Sequence, residues 1–267
     1  MRVAVCLSGE IRGNPEHWQS VYEKIIKPNN ADVFMHHIYY GDDVMNELSY
    51  FQRLVMQEYH KNKGLSAYPP SDIFRIFGPK LIEFERKKMY PIEHFDAIKD
   101  KINHYNSLPQ SMVHDRRYWT DECTQMMYHG VMSQIESRKR VMMLKTQYEK
   151  EHGFEYDAVI LTRIDVDLSE PLLLTSPPSC LYAHFHSPDL IYEILTYGSS
   201  SAMNVFETYF DNLPRLFKEH CNSDHHINQA EYLHLKYFQE MGLRIEKPPF
   251  KEFFNQNTTN GFRRFTH

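Results

Sequence analysis

Ala158-Val159-Ile160-Leu161-Thr162-Arg163-Ile164-Asp165-Val166-Asp167 is the stretch on which the fold turns. The apolar run Ala158–Leu161 has the length and composition of a buried strand. It ends in an arginine and two carboxylates two residues apart. Carboxylates at the tip of a core strand repel each other and resist desolvation unless a positive group sits between them. A divalent ion carrying a phosphorylated ligand meets that need. Side chains at i and i+2 of an extended segment point the same way, so Asp165 and Asp167 can reach one cation or its water shell. The plainer reading is a strand that exits to solvent, with aspartates in the turn that follows.

Upstream, Arg2–Leu7 reads as a strand, Ser8-Gly9-Glu10-Ile11-Arg12-Gly13 as a turn, and Pro15–Ile26 as a helix. Ala31–Ile38 is a second apolar strand, a polar aromatic helix covers roughly Asp43–Lys61, and Gly64–Pro70 is a loop. Leu81–Glu85 alternates apolar and charged, as a half-exposed strand does. This β-α-β-α-β start predicts an α/β fold: a mixed, mostly parallel sheet with helices on both faces. Ligands of such sheets bind beyond the carboxyl ends of the strands. Both Ser8-Gly9-x-x-Arg12 and Arg163-x-Asp165-x-Asp167 occupy such ends.

Residues 86–120 read as an irregular insertion. Asp121–Lys150 is the longest helical pattern, interrupted only by Gly130. Met127, Val131, Val141 and Met142 share one face with Gln134, Arg138 and Lys145 at 100° per residue. Long polar side chains on a core-facing stripe either snorkel at its edge or line a ligand cleft. In the second case Arg138 aims at a phosphate or at the acidic strand end. Leu181–Phe185 is a further strand. Gly198-Ser199-Ser200-Ser201-Ala202-Met203 opens a helix, by capping or as a cradle for a ligand oxygen. Asp224-His225-His226-Ile227-Asn228-Gln229-Ala230-Glu231 leads into a helix ending near Gly242, and Leu243–Glu246 is a short strand.

The chain has 267 residues, 42% of them hydrophobic and 24% charged, with a net charge of −5. That suits a single domain over 1–267, in two halves. The first half runs over about 1–120, and the second, over about 121–267, carries the acidic motif. Dispersed basic residues argue against a nucleic-acid partner. No apolar stretch approaches the roughly 18–20 residues of a membrane span. The chain starts on a strand without a signal-peptide shape, so the expected location is the cytoplasm of the producing or host cell. The four cysteines show no C-x-x-C pairing, and Cys6 reads as a small core residue.

The first turn lacks G-x-x-x-x-G-K-[ST] and G-x-G-x-x-G, so a P-loop or dinucleotide site is poorly supported. No G-x-S-x-G favours a hydrolase, and no H-E-x-x-H or Cys/His quartet favours zinc. What remains is a strand-end turn with Ser8, Gly9 and Arg12, a helix with Arg138, a strand ending in Arg163, Asp165 and Asp167, and an acidic loop before the last helix. Oxygen ligands of this kind favour Mg²⁺ or Mn²⁺.

Val3-Ala4-Val5-Cys6-Leu7-Ser8-Gly9-Glu10-Ile11-Arg12, Asn30-Ala31-Asp32-Val33-Phe34-Met35-His36 and Tyr156-Asp157-Ala158-Val159-Ile160-Leu161-Thr162-Arg163-Ile164-Asp165 resemble GT-A-type glycosyltransferases. The likeness is to bacterial capsule or surface-glycan enzymes and to sugar transferases of large algal viruses. It implies a GT-A-like (Rossmann-like) fold and transfer of a sugar from a nucleotide-sugar donor, a UDP- or GDP-sugar, to a glycan or other hydroxyl acceptor. It also puts Mn²⁺ or Mg²⁺ on Asp165 and Asp167, and the nucleotide against Ser8, Gly9 and Arg12. Gln134, Arg138 and Arg163 are the further candidates for donor binding. An inverting enzyme needs a carboxylate base, for which Asp224 and Glu231 are the candidates. Glu231 equally suits a plain first-turn charge on its helix. Two other readings stay open: a sugar-phosphate nucleotidyltransferase, whose glycine-rich first loop is missing here, and a non-catalytic glycan- or partner-binding protein of the same fold.

Overall fold

The computed structural model describes residues 1–10, 15–39, 70–86, 88, 90, 121–187, 190–220 and 230–248. Among them a seven-stranded sheet runs in the order β3-β2-β1-β4-β6-β5-β7. Its strands are β1 (Val3–Glu10), β2 (Asp32–Tyr39), β3 (Leu81–Arg86), β4 (Ala158–Thr162), β5 (Leu181–Ser187), β6 (Leu190–Gly198) and β7 (Ile245–Glu246). β1 pairs parallel with β2 and β4, β2 with β3, and β5 with β7, while β6 is antiparallel to both β4 and β5. This is the mixed, mostly parallel sheet flanked by helices that the sequence implies.

The alternation of β1 sorts the core into two layers. Ala4 and Cys6 face α3 (Asp121–His152), α5 (Val205–His220) and α6 (Ala230–Glu240). Val3, Val5 and Leu7 face Trp18, Val21 and Ile25 of the first helix, and Ile73 and Phe77 of α2 (Pro70–Phe77). All five of those β1 residues are at most 3% exposed. Burial pushes the Cys6 thiol up to about 12, so it is an inert core group. α3 packs across β1, β2 and β3 and against α5.

The first helix ends in a way its sequence explains. α1 (Pro15–Val21) continues into a π-helical turn, Tyr22–Ile26, and a last turn, Lys27–Asn29. Pro28 has no N–H to offer the carbonyl four residues back, which belongs to Lys24. The Lys27 N–H bonds instead to the Tyr22 carbonyl. The Lys24 carbonyl accepts from the Leu172 N–H at 2.8 Å. Asn29 completes the splice. Its Nδ2 donates to the carbonyls of Ile25 at 2.7 Å and Leu172 at 2.6 Å, and its Oδ1 accepts from the Leu174 N–H at 2.9 Å. The chain leaving β4 is thereby pinned along the end of the first helix.

Four points differ from the sequence reading. Ser8, Gly9 and Glu10 continue β1 rather than turning away. β6 is a strand where none was expected, although it lies between β4 and β5. α2 follows directly on the expected loop, opened by Pro70. The helix opening at Ser200 is split in two, α4 (Ser200–Met203) and α5, and Ser199 does cap the first piece by accepting from the Ala202 N–H at 3.3 Å. The expected helix at 43–61 and most of the insertion at 86–120 lie outside the described residues.

Candidate functional site

The strand order changes direction at β1. β2 and β3 lie on one side of it, and β4 and the rest on the other. Open α/β sheets bind ligands outside the carboxyl ends of the strands at such a switch point. Register fixes what gathers there. Ser8 lies opposite His36 and Gly9 opposite His37 on β2. Thr162, the last residue of β4, lies opposite Leu7, so Arg163 leaves the sheet at the level of Ser8. The two stretches singled out in the sequence therefore meet on adjacent strands.

Beyond Thr162 the chain turns at Ile164 and Asp165, and burial alternates residue by residue as far as Leu168. Ile164, Val166 and Leu168 are at most 4% exposed and join the core on the α1 side. Asp165 and Asp167, between them, stay partly open, their side chains 15% and 23% exposed. Each carboxylate already has a cation. Arg163 grips Asp165 with two bonds, Nε to Oδ1 at 2.8 Å and Nη2 to Oδ2 at 2.5 Å. Asp167 Oδ1 accepts from Lys24 Nζ and from the Ser20 hydroxyl, both at 3.0 Å. Lys24 Nζ also donates to the Leu168 carbonyl. The positive charge that the two aspartates demand is thus supplied in part by the chain itself, from the π-helical turn and from the residue that precedes them.

A hard divalent ion takes oxygen ligands and keeps waters and phosphate oxygens around it. Partly exposed carboxylates at the switch point fit that chemistry in donor type and in access. For the ion to bind both, Arg163 has to yield an oxygen of Asp165 and Lys24 has to give up Asp167 Oδ1. Among the described residues one group of three ligating side chains stands close enough to share an ion, Glu219, His220 and Glu240. Arg215 already bridges its two glutamates, at 2.5 and 2.7 Å.

On the other side of β1, the backbone of Gly9 is held by two side chains. Its N–H donates to the Ser137 hydroxyl at 2.8 Å, and its carbonyl bonds with His37 Nδ1 at 3.0 Å. Gly9 has φ +104, a conformation an L side chain adopts only under strain. The Ser137 hydroxyl also lies 2.8 Å from His36 Nδ1 and donates to the His36 carbonyl at 3.0 Å. Burial is the main reason both histidines are lowered to about 4, aided at His36 by Arg140. They are neutral at ordinary pH. His36 Nε2 stands 3.4 Å from Glu85 Oε2 without hydrogen-bond geometry, and His37 Nε2 is buried without a partner. Next to Ser137 on α3, Glu136 accepts from Lys88 at 2.7 Å and from the Tyr90 hydroxyl at 2.5 Å. Burial opposes its ionisation, but Lys88 and Tyr90 outweigh it and hold the carboxyl below its ordinary value.

The remaining sequence candidates separate. Ser8, 4% exposed, lies on the α3 side of β1 with His36. Gln134 is half-buried on α3, one turn before Arg138. Arg138 is 3% exposed, with Nη1 3.4 Å from His234 Nε2 on α6. Asp165 pairs with Arg163, and Asp157 accepts from the Arg2 N–H at 2.6 Å. Lys145 does not snorkel. It is fully buried and donates to Glu149, Ser200 and Asn204 at 2.8, 2.6 and 2.7 Å, which uses all three of its hydrogens. Glu149 in turn accepts from the Ser200 hydroxyl and the Tyr156 N–H. Around Lys145 the inner face of α3 is therefore a structural network. Arg12 and Asp224 lie outside the described residues, and Glu231 is the second residue of α6. Lys24, Ser20 and Ser137 were not singled out in the sequence. Pro28 was the available signal for Lys24, since a proline four residues on leaves its carbonyl to be used elsewhere.

No protein-family model matches the chain, and no curated protein matches it. Solved structures similar to it include a transferase carrying two cysteine-to-serine substitutions, at 10% identity and TM-score 0.35, over 90% of this chain and 84% of that one. Another is mouse xyloside xylosyltransferase 1 in its apo form, at 7% identity and TM-score 0.32, over 92% of this chain and 84% of that one. Both of these proteins are transferases. No described helix is long and apolar enough to cross a membrane.

Proposed function

We propose that the chain is a glycosyltransferase that moves a sugar from a nucleoside-diphosphate sugar to a hydroxyl acceptor. The observation that carries this reading is the meeting of Ser8-Gly9 and Arg163–Asp167 on adjacent strands at the switch point of the sheet. A diphosphate needs backbone or hydroxyl donors on one side and positive charge on the other. The end of β1 and the start of the acidic segment lie side by side at that point.

In this reading Asp165 and Asp167 would hold Mn²⁺ or Mg²⁺, which when bound neutralises charge on the leaving diphosphate. The chain's own residues do the rest. Ser8 and the Gly9 backbone, fixed by Ser137 and His37, position the nucleotide. Arg163 adds electrostatic stabilisation beside the phosphates. The splice through Asn29 and the Lys24 carbonyl keeps the acidic segment from shifting between donor-free and donor-bound states. Arg12, Gln134 and Arg138 remain candidates for donor contacts, and Asp224 or Glu231 for the acceptor's base.

The test is thermal stabilisation and hydrolysis with UDP- and GDP-sugars, with and without Mn²⁺. The expected result is stabilisation by one donor class, dependent on the ion and lost in the double variant Asp165→Asn, Asp167→Asn. Full transfer by that double variant in EDTA would falsify the assignment of the ion to these residues. Stabilisation by a nucleoside triphosphate together with a sugar phosphate, and by no nucleotide-sugar, would point to nucleotidyl transfer instead.

A further inference from the structure

We propose that Lys24 is an internal counter-ion which a divalent ion must displace. Ion binding at Asp165 and Asp167 then exchanges the lysine ammonium at Asp167 for metal. The inference rests on the reading of those aspartates as the ion site, and it adds a residue that neither the motif nor the resemblance assigns.

Three observations carry it. The Lys24 ammonium contacts Asp167 Oδ1 at 3.0 Å and the Leu168 carbonyl, so it occupies the coordination space of one of the two carboxylates. Its side chain is 31% exposed, which leaves it a path to water, and a partly exposed ion pair gives way easily. Apart from the Leu168 carbonyl, the backbone of the acidic segment has anchors other than that ammonium. It is held separately by the Lys24 carbonyl to the Leu172 N–H, and by Asn29 to both Leu172 and Leu174. The lysine head can therefore leave while the segment stays in register. Ser20, one helical turn earlier, keeps its bond to Asp167 Oδ1 and preserves the carboxylate's orientation through the exchange.

The arrangement has a direct consequence for the donor-free protein. With Lys24 on Asp167 and Arg163 on Asp165, both carboxylates are paired without metal. With an ion in place, the displaced ammonium stays nearby on the same turn, a second positive charge at the site's edge. The ion's apparent affinity is lowered by the competition, so occupancy depends on whatever else coordinates the ion.

The experiment is calorimetric titration of Mn²⁺ into the wild-type chain, Lys24→Gln, Lys24→Arg and the double variant Asp165→Asn, Asp167→Asn, without nucleotide. Thermal melts follow with and without Mn²⁺. Lys24→Gln keeps length and polarity but removes the charge. It should bind Mn²⁺ about tenfold more tightly than wild type, the scale on which a hydrogen bond to a charged group counts. It should also melt lower without the ion and gain more from it. Lys24→Arg should stay near wild type, and the double variant should lose the binding. Lys24→Met serves the same purpose as the glutamine should that variant fail to fold. Equal or weaker Mn²⁺ binding by the neutral variants, with binding still dependent on the two aspartates, overturns the competition and leaves the ion site standing. Absence of aspartate-dependent binding in every variant overturns both.

Discussion

Asn29 makes a sharp test of how the acidic segment is held. Asn29→Ala removes one amide that makes three hydrogen bonds, to Ile25 and Leu172 carbonyls at 2.7 and 2.6 Å and from the Leu174 N–H at 2.9 Å. Asn29 is 9% exposed, Leu172 0% and Leu174 9%, so water does not readily take over. An unsatisfied buried N–H costs about 1–3 kcal/mol, and each lost carbonyl bond costs about 1 kcal/mol or less because the oxygen has a second lone pair. The sum is about 3 kcal/mol. For a chain near this size that is a fall of about 6–12 °C in Tm. Urea unfolding should show a lower midpoint with an unchanged slope. Asn29→Asp is the informative control. It keeps the acceptor for Leu174 but turns a carboxylate toward two carbonyl oxygens, so it should cost at least as much as alanine. A loss below about 0.5 kcal/mol for alanine, the range of ordinary surface substitutions, would refute the splice as the element that pins the segment.

Other outcomes follow from the same structure. Lys145→Met should destabilise by about 3–5 kcal/mol, the usual cost of removing one partner of a buried ion pair, because Glu149 loses its cation in a site where Lys145 is 0% exposed; a chemical-denaturation difference under about 1 kcal/mol contradicts this. Gly9→Ala meets no atom within 4 Å, so its cost should be backbone strain alone, about 1–3 kcal/mol. A relaxed φ at position 9 in a crystal structure of that variant, with no loss of stability, would count against it. Stability should also fall in mild acid. His36 and His37 titrate near 4 in the fold against 6.5 free, so as pH drops below 6.5 the unfolded chain takes up protons first. Their contribution is complete above about 6.5 and is lost between about 6.5 and 4. Urea midpoints across that window should decline, and replacing both histidines with glutamine should flatten the decline.

Much of this architecture was legible because strands and helices announce themselves by period. The runs at 3–7, 32–38 and 158–161 are short, apolar and bounded by polar residues, and each became a strand of the central sheet. β6 was not legible for a physical reason. It holds Tyr192, Glu193, Thr196 and Tyr197, so no clean alternation appears, yet its position between β4 and β5 buries residues 195–198 on both faces. α2 spans two turns and shows itself only through Ile73 and Phe77, four residues apart. At the candidate site the carboxylates could be found, and so could their need for positive charge. What meets that need could not, because Lys24 lies 143 residues from Asp167. Lys145, on the inner face of α3, read as either snorkelling or lining a cleft, and its burial was not legible because its partners Ser200 and Asn204 lie 55 and 59 residues further on.

Pro28 also sets an order of events in folding. The first helix ends in a carbonyl that finds its donor only at Leu172, and Asn29 completes its bonds across 143 residues. β1 is in the same position, since one of its two neighbours is β4. A chain emerging from the ribosome therefore makes its amino-terminal third early and closes it late. Until residues 158–174 arrive, one edge of β1 has no partner and the end of the helix has exposed carbonyls. Contacts of such long sequence separation slow folding, and an unpaired strand edge is open to pairing with other chains in the meantime. A fragment cut after β3 should accordingly aggregate rather than fold, because the carboxyl-terminal half supplies the bonding partners for the end of the first helix as well as the middle of the sheet.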